Sequence, residues 1–252
     1  MKKKTKKIII AVVLTLILLL MGGAVYYFQF TGDGYLQSIP YRHGFQEIEL
    51  NVYMNRENSL APEEVTTITK QARDRVTEFF GEMRCLDSVT IIICDDEKIS
   101  KKIGDKTTKT LAFPEKKDYI SLSNEYCNVD VLAHEMTHAE LHSHLSVDAQ
   151  RNLPVWFDEG TATQNDYREK YSSENWAIKT DNGKNATPLD DMDTYKEFQC
   201  SDEQERQYHY ICAKHELKEW IDSNSVQELI ELVDNYNAGE DFYTLYCKKD
   251  KD

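Results

Sequence analysis

Behind five lysines, the chain runs from Ile8 to Phe28 without a charge, and no later stretch is comparably apolar. Beyond it the hydrophobic positions are spaced. FQEIELNVYM, Phe45 to Met54, alternates through Ile48, Leu50 and Val52 and predicts a strand. In PEEVTTITKQARDRVTEFFG, Val65, Ile68, Ala72, Val76 and Phe79 recur at helical spacing, with Pro62 suited to the first turn and Gly81 to the stop. SVTIIIC, Ser88 to Cys94, is a β-branched run that predicts a central strand. KTLAF and DYISLS, joined by PEKK, read as a hairpin or a pair of neighbouring strands. After Asn128 the pattern turns helical: Val129 to Leu145, Pro154 to Tyr167, Glu203 to Ile221, Val226 to Tyr236 and Phe242 to Cys247. Strands first and helices afterwards predict an α+β fold.

The apolar run changes this picture most. As a helix its twenty-one residues reach roughly 31 Å, enough to cross a bilayer core of about 30 Å. That length favours a transmembrane signal anchor, although Gly22-Gly23-Ala24 offers a site for cleavage and secretion. The predicted organisation is a cytoplasmic basic segment (1–7), an anchor (8–28), a turn-rich stalk (29–40) and one extracytoplasmic domain (41–252). Taking the five lysines of the first 30 residues out of the formal charge of −14 leaves −19 on the exported part, which excludes a nucleic-acid partner. Six cysteines in an exported domain allow fifteen disulfide pairings, and with no CxxC spacing a thiolate zinc site is not expected.

The candidate chemistry is concentrated in VLAHEMTHAELHSH, Val131 to His144. His134-Glu135-Met136-Thr137-His138 is HExxH. On a helix it sets both imidazoles on one face, a turn apart, where they can share a Zn²⁺ ion, with Glu135 placed to take a proton from water. Catalytic zinc takes three protein ligands, and two residues compete to be the third. His144 lies where the HExxHxxGxxH pattern ends. Leu141 replaces its turning glycine, however, and a continuing helix carries His144 some 80° off the ligand face. Glu159, in LPVWFDEGTATQNDY, belongs to a second helix with Pro154 in its first turn, Trp156 and Phe157 seating it, and Gly160 allowing close approach to the HExxH helix. His142 and His144 otherwise read as solvent-facing residues of a helix end.

HEMTH followed by VWFDEGTA resembles the gluzincin zinc metallopeptidases, the group containing thermolysin and the zinc aminopeptidases, from about Val129 to Ala162. The resemblance implies a zincin-like domain: a small sheet beside the HExxH helix, then a mainly helical part. It implies His134, His138 and Glu159 as zinc ligands, Glu135 as general base and a peptide or protein substrate. A Gly-x-Met-Glu-Asn segment, which grips the substrate amine in the aminopeptidases, is missing, so an endopeptidase is the expectation. A later tyrosine or histidine commonly stabilises the oxyanion in this group. In QYHYICAKHELKEW the resembling spacing of apolar positions, Leu217 and Trp220, points to Tyr210 first and His209 second. Thr163 and Asp166, four and seven residues after Glu159, are candidate acceptors for the ligands' second ring nitrogens. A bound peptide is expected to extend the edge strand at KTLAF or DYISLS, two sites the sequence does not rank. The competing readings are a metzincin-type peptidase using His144 and a non-catalytic exported binding module.

Overall fold

The computed structural model describes residues 3–113 and 115–247. Helix α1 (Lys3–Phe30) holds the charge-free run, and Lys7–Phe30 is the one helix, among the described residues, long and apolar enough to cross a membrane. The expected stalk is instead largely helical and packed. Thr31 caps α2 (Gly32–Ser38), and Leu36 and Ile39 are fully buried. The apolar pair, three residues apart, is too short a signal to stand out among the turn-forming residues around it. Gly34 is required by contact, since a Cβ there would lie 2.3 Å from the Tyr27 carbonyl oxygen.

The predicted first strand is a hairpin of β1 (Phe45–Glu49) and β2 (Val52–Asn55). Asn51, at a left-handed φ of 60°, reverses the chain between them, and Leu50 is turned out to solvent. Helix α3 (Pro62–Phe80), with proline at its start and Gly81 (φ 82°) after its end, crosses to β3 (Thr90–Ile93). The sequence pattern did not bring out α4 (Glu97–Ile103), capped by Asp96 and closed by Gly104. Strands β4 (Lys106–Leu111) and β5 (Lys117–Leu122) complete a mixed five-stranded sheet ordered β1-β2-β3-β5-β4. Central β3 runs parallel to β2 and β5, whereas the edge pairs are antiparallel.

Because β3 is covered on both faces, its residues are all apolar or β-branched and divide between two cores. Ile91 and Ile93 join the core shared with α3 and the HExxH helix, and Ile92 and Cys94 join the smaller one beneath Leu36, Ile39 and Ile103. The helical part then follows: α5 (Val129–Ser143), α6 (Val147–Asn152), α7 (Val155–Gln164), α8 (Ser173–Thr180), α9 (Tyr195–Phe198), α10 (Glu203–Ser223), α11 (Val226–Asn237) and α12 (Phe242–Cys247). The mixed α+β architecture matches the sequence reading, with α6, α8 and α9 as short additions. All six cysteines are unpaired.

Candidate metal centre

Helix α5 begins where the Asn128 side chain accepts the Val131 amide, and it is buried throughout from Val131 to His142. Helix α7 lies across it. The two helices bring the predicted ligand atoms together: Nε2 of His134 and Nε2 of His138 are each 3.4 Å from Oε2 of Glu159. That oxygen is buried and has no hydrogen-bond partner. Zinc–ligand bonds of roughly 2.0–2.1 Å put donors at neighbouring corners of a tetrahedron about 3.3–3.4 Å apart, so both spacings fit a zinc-sized ion. A buried carboxylate oxygen facing two imidazole nitrogens without bonding to either is the donor set a divalent cation completes.

Burial alone would raise the Glu159 carboxyl, but the facing imidazoles of His134 and His138 hold it down at about 2. The carboxylate is thus ionised and an acceptor only. Behind His138 stands Asp158, whose Oδ1 is 2.7 Å from Nδ1 and whose Oδ2 is 3.0 Å from Nε2 of His142. Burial opposes ionisation of Asp158 too, yet the charges of His138 and His142 keep it well below the usual carboxylate range. The Gln150 amide nitrogen meets the far nitrogen of His142 at 3.1 Å.

The remaining predicted residues separate. Glu135 and Tyr210 line the same cavity of about 770 Å³ as the ligand atoms, walled by β4, α5, α7 and α10. Glu135 is fixed from the edge strand, since the Thr108 hydroxyl lies 3.0 Å from its Oε2 and 2.7 Å from its carbonyl oxygen. The Tyr210 ring is 6.2 Å from that of His134, and its hydroxyl accepts from the Gln199 amide at 2.8 Å. The same Gln199 nitrogen is 3.3 Å from Oε1 of Glu159. His209 does not border this cavity. Its Nδ1 is tied to the Phe198 carbonyl at 2.9 Å, because neighbouring helical residues point about 100° apart.

His144 is the C-cap of α5 and turns away, with Nδ1 3.0 Å from Asp234 and Nε2 3.4 Å from Glu140. Neither His142 nor His144 faces solvent as expected; both are buried against carboxylates. Of the two candidate acceptors, Asp166 stands 3.9 Å from Nδ1 of His134 while gripping Arg168. The Thr163 hydroxyl donates instead to the Glu159 carbonyl one turn back. Gly160 does not serve the α5 contact; it faces α10, where a Cβ would lie 2.7 Å from the Ala213 carbonyl oxygen.

Asp158, His142 and Gln199 were missed by sequence reasoning. The available signal was the carboxylate directly before Glu159 and the histidine one turn beyond His138; nothing local marked Gln199. No protein-family model matches the chain, and no curated protein matches it in sequence.

Proposed function

We propose that the chain is a membrane-anchored zinc peptidase of the gluzincin kind, with His134, His138 and Glu159 as ligands and its domain outside the cytoplasm. The observation that carries this reading is the convergence of two imidazole nitrogens and one orphaned carboxylate oxygen from separate helices, with Glu135 on the same cavity. The lysines that precede the apolar run of α1 favour a cytoplasmic N-terminus. His144 is engaged elsewhere, which leaves the metzincin alternative without its third ligand.

Held by His134, His138 and Glu159, zinc would supply Lewis acidity towards the scissile carbonyl and a pKa lowered towards about 7 for water. The chain's own groups do the rest. Glu135, held by Thr108, takes the proton from the attacking water and hands it to the leaving amine as the C–N bond breaks. The Tyr210 hydroxyl, accepting from Gln199 through its oxygen, keeps its own proton to donate to the developing oxyanion.

Strand β4 is the sheet edge beside this cavity, whereas β5 lies inside the sheet, so the substrate strand is assigned to β4. The Ser123 amide donates to the Asp105 carbonyl, which makes that pair hydrogen-bonded. By antiparallel alternation the backbone groups of Lys106, Thr108 and Thr110 then face outwards, placed to pair with an extended peptide.

The test is cleavage of a peptide library by the full chain in detergent. Activity is expected to vanish with chelator and return with zinc, and Glu135→Ala is expected to abolish turnover while zinc stays bound. Peptide cleavage that survives Glu135→Ala defeats the mechanism, and full zinc content in Glu159→Gln defeats the ligand set.

A further inference from the structure

A second cavity, of about 740 Å³, opens beside the first turns of α10 and is bordered by Cys200, Glu205 and His209. One ligand-type atom from each of these three residues lies within 4.8 Å of the others. Local structure explains the convergence. Asp202 caps α10 through the amides of Gln204 and Glu205, which sets Cys200 just ahead of the first turn. Glu205 and His209 are four residues apart and share one helix face. The buried His209 ring is oriented by the carbonyl of Phe198 on Nδ1, leaving Nε2 as its coordinating nitrogen. Ligating histidines are characteristically held in this way through their second nitrogen.

We propose that Cys200, Glu205 and His209 form a second site for a divalent metal of the zinc class. A thiolate, a carboxylate and a neutral imidazole carry two negative charges, which one divalent ion balances. Mixed sulfur, nitrogen and oxygen donors suit zinc or cobalt and disfavour magnesium or calcium, which take oxygen alone. The ion clips the chain before α10 to the helix itself. Gln199, next to Cys200, bonds Tyr210 and approaches Glu159, and Tyr210 follows His209. The second site therefore steadies Gln199 and Tyr210, two of the residues by which this segment lines the first cavity. It goes beyond the proposed peptidase reading and does not depend on it.

The experiment loads the full chain, in detergent and in a Cys247→Ser background, with Co²⁺ after metal removal. Cys247 is the exposed cysteine, and Cys85, Cys94, Cys127 and Cys212 are buried. A near-ultraviolet thiolate-to-cobalt charge-transfer band is expected, because the first site contains no sulfur. The band is expected to disappear in Cys200→Ser and weaken in Glu205→Gln while persisting in Glu159→Gln. Bound Zn²⁺ is expected to fall by one per chain in Cys200→Ser. Absence of the band in the parent, or unchanged metal content in Cys200→Ser with His134, His138 and Glu159 intact, overturns the second site and leaves the first reading standing. Loss of metal confined to Cys200→Ser, with none lost in Glu159→Gln, does the reverse.

Discussion

Asp158 joins two imidazoles through one carboxylate, and His138, which we propose as a ligand, is one of them. Such a partner fixes the ring and makes it a better donor. Asp158→Asn keeps the shape and removes the charge, so zinc affinity measured by chelator competition is expected to fall about 10- to 100-fold. Unchanged affinity would separate Asp158 from the metal. The same scale decides the cysteines. Burial raises the Cys127 thiol to about 11 and Cys85 further, with Glu140 adding to the latter. A thiol reagent at neutral pH is expected to modify Cys247 readily and these two slowly, and the unreduced, unfolded chain is expected to titrate six thiols. Fewer than six would mean a disulfide. At this scale HExxH was legible because its spacing matches one helical turn. Gln199 was not, since its importance comes from Glu159 and Tyr210, 40 and 11 residues away.

Between elements, the approach of α7 to α10 rests on Gly160, and Gly160→Ala is expected to cost about 1–3 kcal/mol of unfolding free energy, read from denaturant midpoints. For β4, Lys106→Pro removes an outward amide that the sheet does not use, so stability and zinc content are expected to hold while KM rises several-fold. Lys106→Ala isolates the loss of charge, and equal kinetics in the two variants would remove strand addition. Long elements with caps or strong periodicity were readable: Pro62 and Gly81 bound α3, and Asn128 starts α5. Which of two short strands sits at the edge was not, because that depends on β5 pairing with β3 across intervening chain. The β1–β2 hairpin was hidden by continuous alternation through Leu50, which broke only at the left-handed Asn51.

The whole molecule joins its apolar helix to its domain with little slack. Only Thr31 separates α1 from α2; Arg42 reaches back to the Phe28 carbonyl at 2.6 Å, Lys102 to the Gln29 carbonyl, and Asp33 pairs with Lys109 of the edge strand. Leu36→Ala in the full chain is expected to destabilise the domain by about 2–5 kcal/mol, as for other buried leucines. A chain beginning at Tyr41 is expected to be less stable still, because it uncovers Ile92, Cys94 and Tyr119. Equal unfolding midpoints for the Leu36 variant and its parent would show the packing to be incidental. With α1 in a bilayer, this joint works as a ruler: the cleft cannot swing on a tether, so it stays at one height above the lipid. For the peptidase we propose, bonds presented at that height fall within its reach, and those held nearer or farther pass uncut.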